Sequence, residues 1–140
     1  MKTQTLILDL QQSNSGVISL FKGDTFTLNV YVKDNGSIFN LSGYTAILSV
    51  KDKASDTTYQ LQLYGNEVTY NTATGLVIFA FDSDDTASIT ADCYIYDIEI
   101  SNGTNTYTLI QDVFEIKSDV TTTTIPSYLI TENSQKLIFE

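Results

Sequence analysis

Residues 25–33 read Thr-Phe-Thr-Leu-Asn-Val-Tyr-Val-Lys, and their hydrophobicity alternates with a period of two. One face of this stretch carries only apolar side chains, namely Phe26, Leu28, Val30 and Val32. The opposite face carries Thr, Asn and Lys, with Tyr31 as the exception. Alternation of this kind predicts a half-buried β-strand.

The same two-residue period recurs along the chain, and turn-forming residues separate the repeats. It is found in residues 44–50, 59–63, 76–81 and 94–100, with Gly-containing turns between them. We therefore predict an all-β chain of seven to eight strands, folded as an antiparallel β-sandwich of about immunoglobulin-domain size. The one helical candidate is a single turn within residues 82–89, where Asp82 or Ser83 can cap the N-terminus.

The domain boundaries follow from where the alternation begins and ends. We expect an N-terminal segment at residues 1–16, the sandwich at 17–121, and a short C-terminal arm at 122–140, which contains the single proline, Pro126. The length of 140 residues and a hydrophobic content of 42% fit one compact domain.

Composition excludes several classes of function. The chain has no His and no Arg, and seven Lys against 17 acidic residues give a net charge of -10. Triads that need a His base are therefore absent, and a phosphate backbone would be repelled, so we expect no nucleic-acid partner. No apolar run approaches a membrane span and no export signal is visible, so we expect no membrane partner. A single cysteine excludes an internal disulfide and favours synthesis in a reducing compartment.

Three groups of residues could support chemistry, and each has a simpler structural explanation. Asp82, Asp84 and Asp85 could bind calcium, but a helix N-terminus needs such residues for capping alone. Asp97 and Glu99 share one strand face, as paired glycosidase carboxylates do, yet such pairs are common on solvent-facing strands. Cys93 lacks a His partner, so we expect a buried, inert thiol. We therefore expect no enzyme activity, no cofactor and no metal.

Tyrosines and terminal apolar residues are the candidates for contacts with partners. Tyr94 opens a strand after a crossover, which predicts either a tyrosine corner or an ordinary core aromatic. Tyr31 is a candidate for binding a partner or ligand because it lies on an otherwise polar strand face. In the C-terminal arm, two apolar triplets can pack on the same domain or on a neighbour: Tyr128, Leu129 and Ile130, and Leu137, Ile138 and Phe139.

A series of motifs in a fixed order resembles the immunoglobulin-like domain of phage virion proteins. They occur at residues 21–26, 40–46, 75, 85–87, 94–100, 108–111 and 119–121. Together they are similar to the N-terminal domain of the phage baseplate upper protein, over about residues 17 to 121. Gly43, Tyr44, Tyr94, Tyr96 and Asp97 match as fold-defining positions, and we expect a positive φ at Gly43.

The resemblance implies a non-enzymatic structural protein of a tailed bacteriophage virion. Such a protein is made in the bacterial host cytoplasm and binds other virion proteins and copies of itself in a tail, baseplate, fibre or capsid surface. It would act as an adaptor or a decoration subunit. The alternative is a carbohydrate-binding module for host surface glycan that uses exposed Tyr and Asn side chains, although the lack of Trp argues against it.

Overall fold

The computed structural model describes residues 2–118. These residues form ten strands and one short α-helix: β1 Lys2–Asp9, β2 Ile18–Phe21, β3 Phe26–Asp34, β4 Ser37–Ile38, β5 Thr45–Lys51, β6 Leu61–Leu63, β7 Val68–Asn71, β8 Leu76–Phe81, α1 Ser83–Ala87, β9 Asp92–Ser101 and β10 Thr106–Lys117. A single 3-10 turn at Gly65–Glu67 separates β6 from β7. No helix in this part of the chain is long and apolar enough to cross a membrane.

Two five-stranded sheets pack face to face. Sheet A has the order β1-β3-β8-β7, with β4 also paired to β3, and sheet B has the order β2-β10-β9-β5-β6. The predicted all-β sandwich is therefore confirmed, with ten strands in place of the seven to eight expected. The sheets are mixed rather than purely antiparallel, because β1 pairs in parallel with β3 and β2 pairs in parallel with β10. Both parallel pairs join strands that are distant in sequence, a feature that local alternation does not encode.

The N-terminal segment belongs to the sandwich. Strand β1 runs beside β3 from the pair Lys2–Phe26 to the pair Asp9–Lys33. Leu6 and Leu8 point into the core while Ile7 points outward. The segment predicted at residues 1–16 thus contributes a strand to sheet A.

The core lies between the sheets and is built from the inward residues of the alternating strands. Phe26 and Phe81 on sheet A pack edge to face with ring centroids 5.5 Å apart, and Phe81 lies 5.8 Å from Phe114 on sheet B. Phe114 in turn contacts Tyr96 at 6.2 Å. This chain of aromatic rings connects the two sheets through the centre of the molecule.

The predicted helical turn is confirmed as α1, which carries the chain from β8 in sheet A to β9 in sheet B. Asp82 is its N-cap residue, and its backbone N–H donates to the Asp85 carboxylate at 2.7 Å. The hydroxyl of the fully buried Thr86 accepts a 2.9 Å hydrogen bond from the Gly23 N–H, which ties the helix to the β2–β3 turn.

Tyr94 forms the predicted tyrosine corner. Its hydroxyl donates to the Thr90 carbonyl four residues upstream, at 2.5 Å. Burial is the main reason that the pKa of this phenol is raised, and the charges of Asp92 and Asp52 add to the effect. Gly43 has the expected positive φ, at 81°.

Candidate functional site

The outer face of sheet A carries a row of large apolar side chains across three strands. In the strand register Tyr31 lies opposite Ile7 on one side and opposite Leu76 on the other. All three side chains point away from the core, and Ile7 is 66% exposed. We call Ile7, Tyr31 and Leu76 the Tyr31 row. The structure thus places Tyr31, the candidate from the sequence, at the centre of an apolar surface.

Two further isoleucines flank Leu76 along the strand direction. Ile78 follows it on β8, and Ile38 on β4 lies opposite Lys33, in line with β8 and just beyond its start. Ile38 is 52% exposed. The close approach of Ile38 to the start of β8 depends on Gly75. A Cβ at this position would lie 2.8 Å from the Val32 carbonyl and 3.2 Å from the Ile38 side chain. Together with the Tyr31 row, these residues form one continuous apolar patch.

The tight turn between β3 and β4 holds Ile38 in this position. The β3–β4 hairpin has a two-residue turn, and Asn35 and Gly36 both have positive φ, at 51° and 85°. Asn-Gly is the favoured pair for such a turn because its twist matches that of the flanking strands. The turn is also bound from outside, since the Asp9 carboxylate accepts the N–H groups of Asn35 and Gly36 at 2.9 and 2.8 Å.

The outer face of sheet A is almost without charge although the protein is strongly acidic. Its remaining outward strand positions are Thr3, Thr5, Asp9, Thr27, Asn29, Lys33, Thr69, Asn71 and Ala80. Asp9 is the one carboxylate among them, and it is buried and bonded to backbone N–H groups. The hydrogen bond from Gln11 is the main reason that the pKa of Asp9 is lowered, with Gly36 and Asn35 adding to it against the opposing effect of burial.

The outer face of sheet B mixes charged and polar side chains with apolar ones, which are Phe21, Ile47, Ile95 and Val113. Asp97 and Glu99 point outward on β9, as predicted, and Glu115 and Lys117 do so on β10. Asp97 and Glu99 line a shallow cavity of about 150 Å³ together with Ile47, Ser49, Lys51, Tyr59 and Gln62. The Lys51 ammonium lies 5.0 Å from the centre of the Tyr59 ring, and Gln62 donates to the Ser49 hydroxyl. This arrangement offers hydrogen-bonding groups beside one aromatic ring.

Partial burial changes the acidity of one carboxyl in this cavity. Desolvation raises the pKa of Asp97, and the charge of Lys51 opposes the effect. A carboxyl that is costly to ionise beside a cation is suited to accept or donate hydrogen bonds to a polar ligand.

Two other predicted groups have different outcomes. The prediction for Cys93 is wrong, because its side chain is exposed. The inward residues of β9 begin at Tyr94, so Cys93 falls on the outer face of sheet B, opposite Glu115. Asp82, Asp84 and Asp85 surround the start of α1, and no group of three or more potential metal ligands occurs within residues 2–118.

The candidates in the C-terminal arm lie outside the described residues: Tyr128, Leu129, Ile130, Leu137, Ile138 and Phe139. Four apolar surface residues were not predicted from the sequence: Ile7, Ile38, Leu76 and Ile78. A usable signal existed for Leu76 and Ile78, because they alternate with Val77, Phe79 and Phe81 and both faces of that strand are apolar. Ile38 follows a turn in a strand of two residues, which is too short for any period to be recognised.

Comparison with solved structures shows that this fold occurs in a phage protein. The chain is similar to the N-terminal domain of phage TP901-1 ORF48, with a TM-score of 0.59 and 12% sequence identity. The match covers 84% of this chain and 99% of that domain. No protein-family model matches the sequence, and no curated protein matches it. At this identity the likeness establishes the fold.

Proposed function

We propose that this chain is a non-enzymatic structural protein of a tailed bacteriophage virion. It is made in the host cytoplasm and joins the particle as an adaptor or decoration subunit that binds other virion proteins. Two independent similarities support this proposal. The order of sequence motifs resembles the immunoglobulin-like domains of phage virion proteins, and the fold is similar to a domain of a phage protein.

The apolar patch on the outer face of sheet A is the observation that carries the proposal. Ile7 and Ile38 are more than half exposed and adjoin Tyr31, Leu76 and Ile78 on one sheet face. Contiguous apolar surface of this kind usually marks a binding site for another protein. Tyr at the centre and few charges are also typical of the middle of protein interfaces. The virion partner therefore binds on this face.

Quantitative mass spectrometry of purified particles tests the proposal. We expect the chain to be present in a fixed ratio to the major capsid protein. Hundreds of copies would indicate capsid decoration, and a few to a few dozen would indicate a tail, baseplate or fibre adaptor. Reproducible absence from particles would overturn the proposal.

Matched variants test whether the outer face of sheet A is the binding surface. Ile7→Asp places a carboxylate in the apolar patch, and we expect it to reduce incorporation into particles. Val113→Asp adds the same charge on the outer face of sheet B, where an exposed valine is replaced, and should be incorporated normally. Equal incorporation of both variants would remove this face from the proposal.

The C-terminal arm is a second proposed contact. Its two apolar triplets, at residues 128–130 and 137–139, are suited to pack against a neighbouring virion protein. We expect deletion of residues 127–140 to reduce assembly into particles while the sandwich stays folded. Unchanged incorporation of the truncated chain would contradict the arm hypothesis.

Binding of host glycan is the alternative function, and the cavity on sheet B favours it. Asp97, Glu99 and Gln62 provide hydrogen-bonding groups for sugar hydroxyls, and Tyr59 provides a ring 49% exposed. Titration against a panel of host surface polysaccharides tests it. Saturable binding that is lost in Asp97→Ala but kept in Glu115→Ala would support the alternative, and flat titrations would remove it.

A further inference from the structure

The apolar patch on sheet A is self-complementary under a two-fold rotation. The Tyr31 row runs across the strands, and a two-fold axis placed along it would lay the row of one copy on the row of another. Rotation about this axis places each strand of one copy over the same strand of the other copy. The order of the residues along that strand is reversed. Because Ile78 and Ile38 lie at equal steps on either side of Leu76, Ile78 of one copy then packs on Ile38 of the other.

Charge also favours a second copy at this surface. Two chains of net charge -10 repel each other, so they can approach closely only where carboxylates are absent. The same axis places Asn29 against Lys33 and Thr5 against Asp9, whose carboxylate is already bonded to its own backbone. No pair of like charges is created among the strand positions of sheet A, whereas the outer face of sheet B carries three carboxylates, those of Asp97, Glu99 and Glu115.

We propose that the outer face of sheet A is an isologous interface between two copies of this chain, formed around the Tyr31 row. This inference rests on the proposed function only in one respect: it identifies the virion protein that occupies this face as a second copy of the chain. In this dimer, sheet A of one copy packs about 10 Å from sheet A of the other copy. Their strands are aligned, as those of two sheets are inside a sandwich. Each residue off the axis makes its contact twice, which is the property of a two-fold interface.

The size of the face sets the expected strength. Four strands about 4.8 Å apart and about six residues long offer roughly 400 Å² of flat area per copy. A standard stable complex buries about 800 Å² per partner, so we expect a weak dimer with a dissociation constant of roughly 10 to 1000 μM. Repetition of the contact in a particle would strengthen it through multivalency.

Sedimentation equilibrium of the full chain, at concentrations up to about 1 mM to cover this range, tests the proposal. We expect a monomer–dimer equilibrium that strengthens when salt is added, because salt screens the repulsion between acidic copies. Ile7→Asp should raise the dissociation constant at least tenfold, since two new carboxylates would meet at the axis. Val113→Asp on sheet B should leave it unchanged. A chain that remains monomeric throughout would overturn the proposal.

A charge-swap experiment tests the register of the two copies. Ile78→Asp and Ile38→Lys should each weaken the dimer, and the double variant should recover it by forming two pairs between the copies. Within one copy the two positions are four residues apart in register, about 13 Å, which is too far for a direct pair. Failure of the double variant to recover association would contradict this axis. Circular dichroism spectra and melting curves establish that each variant is folded.

The self-interface and the virion role can fail independently, and the experiments distinguish the two failures. If the chain is found in particles but never dimerises, the self-interface is overturned and the virion role stands. If the chain dimerises through this face but is absent from particles, the virion role fails and the self-interface stands.

Discussion

On the outer face of sheet A the side chains of Ile7, Tyr31 and Leu76 form an apolar row with few charges around it, whereas on the outer face of sheet B apolar side chains alternate with the carboxylates of Asp97, Glu99 and Glu115. The two faces are built from strands with the same alternation and cover the same core. The difference therefore comes from the outward residues alone, which folding leaves free to vary. Ile7 and Ile38 are more than half exposed and contribute little to the core, and an apolar patch with few charges is the feature on which the proposed contact rests.

The strands that carry the two faces also differ in how they are joined to the molecule. Strand β1, which carries Ile7, is an edge strand paired only with β3, and the segment after it crosses to sheet B. Asp97 and Glu99 lie on β9, which is paired on both sides. Ile7 thus depends on an edge strand and its connections, while Tyr31 and Leu76, like Asp97 and Glu99, lie on strands that are paired on both sides.

Truncation of a central aromatic ring should have the largest effect and should weaken both faces together. Phe114 is fully buried and contacts Phe81 of sheet A and Tyr96 of sheet B. We expect Phe114→Ala to lower the free energy of unfolding by about 3–5 kcal/mol, as measured by urea denaturation. Val113→Ala, the exposed neighbour, should change it by less than about 0.5 kcal/mol. Loss of order on one face while the other stays protected would show that the sheets do not unfold as one unit.

Removal of one hydroxyl should weaken the apolar face more than the charged one. The Tyr96 hydroxyl donates to the Gly16 carbonyl at 2.5 Å, and Gly16 lies in the crossing from β1 to β2. We expect Tyr96→Phe to cost about 1–2 kcal/mol because the partly buried Gly16 carbonyl loses its donor. Hydrogen exchange should increase most in β1.

Tyr107→Phe is the matched control for this hydroxyl. Its phenol is 36% exposed, and its ring packs against Phe39 and Tyr44. We expect a change below about 0.5 kcal/mol. If the two variants behave alike, the contact to Gly16 does not hold the crossover.

The sequence was sufficient to predict the sandwich and the outward position of Tyr31, because both depend on local patterns. Alternation along β3 identifies the inward residues and singles out the one aromatic on the other side. The tyrosine corner was also predictable, since Tyr94 and Thr90 are four residues apart. The helical turn after β8 was predictable for the same reason, because its capping residues are adjacent in sequence.

The rest of the candidate site depends on contacts between distant residues. Leu6, Ile7 and Leu8 read as one apolar run, and only pairing with β3 shows that Ile7 points outward. The position of Ile38 beside Leu76 depends on a two-residue turn and on Gly75 in another part of the chain. Cys93 is expected to be buried because its strand is apolar, but it shares the strand phase of Asp97 and Glu99 and is exposed with them on the outer face.

The Asp9 carboxylate should make the apolar face sensitive to acid. Its pKa is lowered by backbone N–H donors, so it stabilises the fold above its unfolded pKa of about 3.9 and loses that effect as pH falls through the folded value. We expect Asp9→Asn to lower the melting temperature at pH 7 and to reduce the loss of stability on acidification. Asp34→Asn, next to the same turn, is the control. Equal pH profiles for wild type and Asp9→Asn would contradict this role.

Asp97 on the charged face should show the opposite sign with the smallest effect. Burial raises its pKa, so the folded chain binds more protons than the unfolded chain between the unfolded value of about 3.9 and the raised value. Stability due to this group therefore falls as pH rises through that interval, and the ionised carboxylate is mildly unfavourable at pH 7. We expect Asp97→Asn to raise the melting temperature slightly at pH 7 and to have no such effect at pH 3. Because the nearby Lys51 offsets part of the cost, Asp97→Asn should raise the melting temperature more in a Lys51→Met background than in the wild type. A lower melting temperature for Asp97→Asn at pH 7 would show that the ionised carboxylate stabilises the sheet B cavity.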